Sequence, residues 1–185
     1  MKSLIITSLL VISLISTFGQ NSLFTSSQFP ISSLKNDNNG GIQLGMKFRS
    51  NINGYITSLR FYKESGNTGT HIGQLWNSAG TLLAQATYTN ETPSGWQEVV
   101  LSNPVQILAD VTYIVAYHSS DGYYSNNLNF FQSPLINGPL RGLANGEDGG
   151  NGLYLYSNTP AFPVNSYQSN NYWVDVVFNT TVAPD

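Results

Sequence analysis

Few side chains in this sequence of 185 residues could carry out chemistry. It has no cysteine and two histidines, which excludes disulfides, thiolate zinc sites and a cysteine nucleophile, and leaves little for metal or base chemistry. The motifs that place a serine nucleophile, a zinc ion or a phosphate, such as Gly-x-Ser-x-Gly and His-Glu-x-x-His, do not occur. We therefore expect no hydrolase activity and no resident cofactor, with calcium as the one open possibility.

Carboxylates are the remaining candidates for acid and base chemistry, because two of them can converge from distant strands. Asp175 stands out, since alternation along residues 172–178 places it on one strand face between Trp173 and Val177. A carboxylate among apolar neighbours needs a partner. We favour a structural ion pair with Arg60 or Lys63, or hydrogen bonds to a loop, over catalysis. The other candidate carboxylates are Glu64, Glu91, Glu98 and Asp121.

The loop at residues 145–152 combines oxygen-bearing side chains with glycines. Calcium prefers oxygen ligands, so Glu147, Asp148 and Asn151 are candidate ligands for one calcium ion. The loop lacks the regular acidic spacing of an EF-hand, and a solvated glycine-rich turn explains it equally well.

A third group of residues suggests sugar binding, because it surrounds an Asp-Gly turn with aromatic and amide side chains. A flat aromatic ring covers the apolar face of a pyranose while amides bond its hydroxyl groups. For Trp173, which lies in a strand, packing is the alternative. The glycan-binding candidates are Tyr117, His118, Asp121, Tyr123, Tyr124, Asn126 and Trp173.

Strands must position all of these residues. From Ile42 the apolar residues recur at every second position, and turn residues such as Asn77 to Gly80 separate the strand-like segments. This pattern predicts an all-β antiparallel sandwich, jelly-roll or immunoglobulin-like, with no substantial helix in the mature chain. The predicted strands are 42–48, 55–63, 72–76, 82–89, 96–101, 112–118, 152–156 and 172–178.

The start of the chain is typical of an export signal. Lys2 precedes an apolar run from Leu4 to Ile15, and small residues stand before Gln20. The run is shorter than the roughly 20 residues that span a membrane, which disfavours a retained anchor. We expect a signal peptide at 1–19, a segment with an Asn/Gly linker at 20–41, a sandwich at 42–178 and a tail at 179–185. The mature protein would be secreted, extracellular or at the cell surface, without membrane insertion.

The charge content limits the partners. Charged residues make up 9% of the chain, against roughly 25% in an average soluble domain. No basic cluster is present among the 7 Lys and Arg residues. Nucleic acid and anionic membrane surfaces are therefore poor partners.

Several motifs are similar to a known family. The runs Leu44 to Arg49, Gly54 to Lys63, Gly66 to Trp76 and Asn171 to Phe178 resemble the family of domain of unknown function 4082, over roughly residues 42–178. The resemblance implies a secreted bacterial β-sandwich module, usually one among several in large surface or carbohydrate-active proteins, with no established activity.

Two functions are compatible with these observations. In the first, the segment from Leu23 to Leu34 adds as a strand to a neighbouring copy and builds a head-to-tail fibre; its alternative role is an edge strand of its own domain. In the second, the chain is a carbohydrate-binding module for wall or matrix glycans. We prefer the structural, adhesive function, because a surface with few charges lets identical subunits pack. The expected self-assembly residues are Leu23, Phe24, Phe29, Ile31 and Leu34.

Overall fold

The computed structural model describes residues 20–31, 34–37 and 40–182. The predicted signal peptide, residues 1–19, and the end of the predicted tail, residues 183–185, lie outside the described residues. In the part that is described, the helical structure is a single 3-10 turn, Phe130–Gln132. No helix there is long and apolar enough to cross a membrane.

Strands dominate the described chain. Most long strands begin and end within two residues of the predicted ones, but the strand predicted at 96–101 continues to Ile107, and the two- and three-residue strands were not predicted. In chain order the strands are β1 (Lys35–Asn36), β2 (Ile42–Ser50), β3 (Gly54–Lys63), β4 (His71–Asn77), β5 (Leu82–Thr87), β6 (Gly95–Ile107), β7 (Tyr113–Ser119), β8 (Tyr123–Tyr124), β9 (Leu135–Asn137), β10 (Leu140–Gly142), β11 (Leu153–Tyr156), β12 (Asn165–Ser166) and β13 (Val174–Asn179).

Two antiparallel sheets pack face to face and confirm the predicted all-β sandwich. The large sheet has the order β12-β11-β2-β7-β4-β5, with β10 and β9 joined to the end of β2. The small sheet has the order β13-β3-β6. A separate two-stranded ribbon pairs β1 with β8.

The core lies between the two sheets. Alternation along β2 turns Leu44, Met46 and Phe48 inward, and they meet residues such as Leu59 of β3 and Val176 of β13. All five side chains are fully buried. The period-two pattern in the sequence therefore identifies this face correctly.

The outer face of β2 differs from the expectation of a half-buried strand. Gln43, expected to face solvent, is fully buried, and its Oε1 accepts a hydrogen bond from the Ala161 backbone N–H at 3.3 Å. A second apolar cluster covers this side of the large sheet, where Phe162 packs on Trp76. The loop that contains Ala161 and Phe162 therefore adds a layer that alternation alone could not reveal.

The N-terminal segment is part of this domain, which corrects the expectation of a detached arm. Asn21 pairs with Phe178 at the edge of β13 through two backbone hydrogen bonds of 3.0 and 2.7 Å. Leu23 and Phe24 are 1% and 0% exposed in the domain's own core. Because both side chains already pack in the core of their own chain, they are not available for insertion into a neighbouring copy. The structure thus matches the alternative role, an edge strand of its own domain.

The rest of the segment is less buried. Phe29 is 59% exposed and Ile31 is 87% exposed, while Leu34 is half-buried. The expected linker also contains structure, because Lys35 and Asn36 form β1 and pair with Tyr124 and Tyr123 of β8.

Candidate functional site

Asp175 forms the ion pair with Arg60 that the sequence predicted. Its carboxylate is fully buried and faces Arg60 at 3.5 Å. It also accepts hydrogen bonds from the backbone N–H groups of Leu23 at 2.9 Å and Phe24 at 3.1 Å. Burial raises the pKa of Asp175 to about 6, although Arg60 and these N–H groups oppose the shift. The carboxylate therefore ties the N-terminal segment to the small sheet.

A packed aromatic cluster surrounds this ion pair. The ring centroid of Phe24 lies 5.6 Å from that of Trp96 and 5.0 Å from that of Trp173, and the Arg60 guanidinium lies 4.5 Å from the centroid of Trp96. Trp173 is buried and donates from its indole N–H to Asn127 Oδ1 at 2.6 Å. Trp173 is therefore a packing residue, which corrects its assignment to glycan binding. The members of this cluster are Phe24, Tyr62, Trp96, Phe130 and Trp173.

Two other glycan-binding candidates are also wrong. Tyr117 points inward from β7 and is fully buried, with its ring stacked 4.6 Å from that of Phe61. His118 points to the opposite face of β7, where it is buried and its Nε2–H donates to the Ser157 carbonyl at 2.9 Å. Both side chains are enclosed by the sandwich and its covering loop, so neither presents a surface to a sugar.

Asp121 and Tyr123 shape a turn. The Asp121 carboxylate accepts hydrogen bonds from Ser119 Oγ at 3.0 Å and from the Tyr123 backbone N–H at 3.4 Å. Neither Asp121 nor Tyr123 lines the cleft that contains Tyr124. Their role is to place the following residue, Tyr124.

A cleft lined mainly by tyrosines, here called the tyrosine cleft, opens at one end of the sandwich. Its volume is about 290 Å³, close to the lower end of the range for small-molecule sites. Two of the predicted glycan-binding residues, Tyr124 and Asn126, lie in it. The complete lining is Asp37, Ile42, Tyr124, Asn126, Tyr154, Tyr156, Tyr167, Asn170 and Tyr172.

Three parts of the fold build the tyrosine cleft. Tyr154 and Tyr156 stand opposite Leu44 and Ile42 in the pairing of β11 with β2, so they share the inner side of the large sheet. Tyr124 comes from the β1-β8 ribbon. The remaining wall is the segment from residue 167 to residue 172, which leads into β13.

Asp37 links two of the tyrosines. Its Oδ2 accepts hydrogen bonds from the Tyr124 hydroxyl at 2.9 Å and from the Tyr156 hydroxyl at 2.7 Å. Burial raises the pKa of Tyr124, and the hydrogen bond to Asp37 and its negative charge raise it further. The Tyr124 hydroxyl therefore stays protonated at neutral pH and continues to donate to the carboxylate.

Asn170 leaves a polar atom without a partner in the tyrosine cleft. The residue is 1% exposed, and its Oδ1 forms no hydrogen bond. Burial raises the pKa of Tyr172, and a side-chain hydrogen bond from Asn170 partly offsets this. A buried acceptor without a donor is costly, so Asn170 Oδ1 is an unsatisfied polar atom of the cleft wall.

The wall next to Asn170 has a strained backbone. Gln168 and Ser169 have φ values of 45° and 48°, in the left-handed region that most residues avoid. Gly152, with φ of 75°, packs against the backbone of Asn170 so closely that a Cβ atom there would overlap it. Strain of this kind concentrates at ligand sites, where the surrounding fold maintains it.

A buried histidine supports the ribbon that carries Tyr124. His71 lies between Glu91, at 2.9 Å from Nδ1, and Asn67 Oδ1, at 2.8 Å from Nε2. The Asn67 amide in turn donates to the Tyr123 carbonyl at 3.1 Å. Burial lowers the pKa of His71, and the hydrogen bond to Glu91 opposes this. The network fixes the backbone immediately before Tyr124.

The predicted calcium ligands bind other parts of the chain. Glu147 pairs with Arg141 at 2.6 Å, and Asp148 pairs with Arg49 at 3.4 Å. Asn151 Oδ1 accepts the Lys47 backbone N–H at 2.8 Å. The described residues contain no group of three or more His, Cys, Asp or Glu side chains that could hold a metal ion. These contacts favour the alternative, a glycine-rich turn.

Most of the tyrosine cleft was not predicted from the sequence. Five of the chain's 11 tyrosines line it, but Tyr154, Tyr156, Tyr167 and Tyr172 lie 30 or more residues beyond Tyr124 in the chain. The available signal was the tyrosine-rich composition after residue 150, where these four recur among Asn and Ser. Their convergence depends on the pairing of β11 with β2, which has no local signature.

One comparison with known proteins identifies the family. The model of the family described as domain of unknown function (DUF4082) matches residues 27–174. A search of curated proteins found no match. The family match begins inside the segment that the sequence analysis treated as separate, in agreement with its place in the fold. The chain belongs to the DUF4082 family.

Proposed function

We propose that this member of the DUF4082 family is a carbohydrate-binding module and that the tyrosine cleft is its binding site. The observation that carries the proposal is an open, tyrosine-lined cleft that contains a buried acceptor without a donor, Asn170 Oδ1. Tyrosine offers a rigid apolar ring and a hydroxyl, and a sugar ring offers apolar C–H faces and hydroxyl donors.

The distribution of exposure in the cleft supports this function. Tyr124 and Tyr172 are buried at its base, while Tyr156 and Tyr167 are 42% and 51% exposed at its rim. Exposed aromatic rings at a rim are suited to stacking on a ligand. The tight base is suited to hydrogen bonding.

Binding assays against a panel of soluble polysaccharides and oligosaccharides test the proposal. We expect Tyr167→Ala to weaken binding about fivefold to tenfold, because it removes one stacking ring. Phe29→Ala is the matched control, since Phe29 is an exposed aromatic residue outside the cleft, and it should bind as the parent does. Equal binding by the parent and Tyr167→Ala, or no binding to any glycan, would refute the site.

We propose further that the protein is exported and acts by binding rather than by catalysis. Export rests on the pattern of residues 1–19. The most distinctive carboxylate, Asp175, is held by Arg60 and by backbone N–H groups, as expected of a structural group. Glycosidase screens of the purified protein should therefore show no turnover.

Self-association is a second candidate function, favoured by the exposure of Phe29 and Ile31. Two large apolar side chains near each other on the surface can mediate contact between copies. Sedimentation of the parent and of the Phe29→Asp/Ile31→Asp variant tests this. Concentration-dependent oligomers in the parent and monomers in the variant would support a fibre or adhesive assembly. Identical sedimentation would exclude this contact.

A further inference from the structure

The charge of the tyrosine cleft points to the chemical class of its ligand. Among the described residues that line the cleft, Asp37 carries the one formal charge, and none is Lys, Arg or His. The Asp37 hydrogen bonds to Tyr124 and Tyr156 come from neutral hydroxyls. Hydrogen bonds from neutral groups hold a carboxylate in place but leave its negative charge uncompensated.

Four other acids of the described chain have a Lys or Arg partner, whereas Glu64, Glu98, Asp110 and Asp121 have none. Asp148, Asp175, Glu91 and Glu147 each lie within 4 Å of a Lys or Arg nitrogen. Asp37 forms no such ion pair with the described residues. A cationic ligand can therefore pair with this carboxylate without displacing a Lys or Arg side chain of the described chain.

The tyrosine rings favour the same ligand charge. The face of an aromatic ring carries partial negative charge, and a cation over a tyrosine face is attracted to it. Tyr154 and Tyr156 stand with ring centroids 5.6 Å apart in a T-shaped arrangement, and Tyr124 and Tyr172 do so at 5.7 Å. These two pairs, together with Asp37, make the cleft attractive to an ammonium group.

Asn170 completes the acceptor set. An ammonium group has three N–H donors and no acceptor, so it needs oxygen atoms around it. Asp37 and Asn170 both line the cleft; the carboxylate supplies charged oxygens, and the unpartnered Oδ1 of Asn170 is a second acceptor, buried beneath the cleft surface. A ligand with carboxylate or sulfate groups would instead meet Asp37 as a like charge.

We infer that the cleft binds an amino sugar with a free amine, its ammonium group directed to Asp37 and its pyranose ring placed on the rim tyrosines. The inference rests on the proposed glycan-binding function and names the ligand class. Uronic acids and sulfated glycans are then poor ligands.

A matched series of β-1,4-linked tetrasaccharides tests the inference by calorimetry. Tetramers of glucosamine, N-acetylglucosamine and glucose share one linkage and differ at carbon 2, where they carry an ammonium, an acetamide or a hydroxyl group. We expect the glucosamine tetramer to bind at least about tenfold more tightly than the other two. Added salt should weaken its binding most, because the charge pair is accessible to ions.

Asp37→Asn is the matched variant, because it keeps an oxygen acceptor for the two tyrosine hydroxyls and removes the charge. We expect this variant to lose the preference, so that the three tetramers bind within about twofold of one another. Equal affinity of the parent for all three tetramers, or an unchanged preference in the variant, overturns the amino-sugar inference and leaves glycan binding intact. Absence of binding to any tetramer, with no binding in the polysaccharide panel, overturns both.

Discussion

The two aromatic groups of this molecule each surround one carboxylate, but they differ in how that carboxylate is satisfied. In the packed aromatic cluster, Asp175 is fully buried and faces Arg60 and backbone N–H groups. In the tyrosine cleft, Asp37 is exposed and accepts hydrogen bonds from two tyrosine hydroxyls. The first group is closed and its charge is paired within the chain. The second is open, and its carboxylate has no Lys or Arg partner among the described residues.

This difference separates stability from recognition. Phenylalanine and tryptophan rings around Asp175 bury apolar area and close the edge of the small sheet, where they contribute to folding. The tyrosines hydrogen-bonded to Asp37 are polar at their hydroxyl groups; Tyr124 is buried and Tyr156 is exposed, which suits the proposed ligand site. Mutations in the two groups should therefore produce opposite profiles, with large losses of stability in one and losses of binding in the other.

The largest effect on stability is expected for Phe24→Ala. Phe24 is fully buried among Trp96, Trp173 and Phe130, so its removal should lower the free energy of unfolding by about 3 to 5 kcal/mol. Phe29→Ala, on the same segment but exposed, should change it by less than about 0.5 kcal/mol. Urea unfolding measures both. A loss below about 1 kcal/mol for Phe24→Ala would show that the segment is a passive tail.

The next effect is a pH dependence due to Asp175. Because its pKa in the folded protein is about 6 against an ordinary 3.8, the folded protein retains a proton between about pH 4 and pH 6 that the unfolded chain has released. The free energy of unfolding should therefore fall as the pH rises through this window, by at most about 3 kcal/mol.

Asp175→Asn is the control for this pH dependence, since an amide does not titrate. As the pH rises from about 4 to about 7, the parent should lose stability relative to the variant. A difference that stays constant, or that shifts in favour of the parent, would contradict the assignment to Asp175.

Gly152→Ala should affect both properties moderately. The residue has φ of 75° and packs on the backbone of Asn170, so a methyl group must displace the wall of the tyrosine cleft. We expect a loss of about 1 to 3 kcal/mol in stability and a clear loss of sugar binding. Unfolding and calorimetric titration of one preparation measure the two effects. Retention of full binding would mean that this wall does not contact the ligand.

Among substitutions within the two aromatic groups, the smallest effect on stability is expected at Tyr156. Its ring is 42% exposed, so Tyr156→Ala should change the free energy of unfolding by less than about 1 kcal/mol while weakening sugar binding about tenfold. Tyr156→Phe keeps the ring and should bind within about twofold of the parent. If Tyr156→Ala and Tyr156→Phe lose the same affinity, the hydroxyl and not the ring is responsible. If neither variant loses affinity, the side chain does not contribute to binding. Either result excludes stacking on this ring.

The strands and the packed aromatic cluster differ in how far the sequence predicts them. Alternation from Ile42 to Phe48 indicates β2, because one face of the strand must be buried. The same alternation predicts that Asp175 needs a partner, either an ion pair with Arg60 or Lys63 or hydrogen bonds to a loop. It does not reveal that Leu23 and Phe24 supply backbone N–H groups, since the segment carries no alternation of its own.

The tyrosine cleft was predicted only in part, for a related reason. Tyr124 and Asn126 stand in a local cluster of aromatic and amide residues, and that local signal identifies them. Tyr117 belongs to the same local cluster, yet strand alternation directs it into the core. Asp37 lies in a stretch that by composition is a linker, so its contact with Tyr124 and Tyr156 could come only from the three-dimensional pairing of the β1-β8 ribbon.

The central claim, that the tyrosine cleft is the ligand site, is tested most directly by mapping where a sugar binds. Amide chemical shifts of the protein would be followed by nuclear magnetic resonance during titration with the tightest ligand of the oligosaccharide panel. If the cleft is the binding site, the largest shifts cluster at residues 124–126, 154–156 and 167–172, and amides beside Phe24 and Phe29 stay unmoved. Shifts centred on Phe29 and Ile31, or shifts at no residue with any sugar tested, would contradict it.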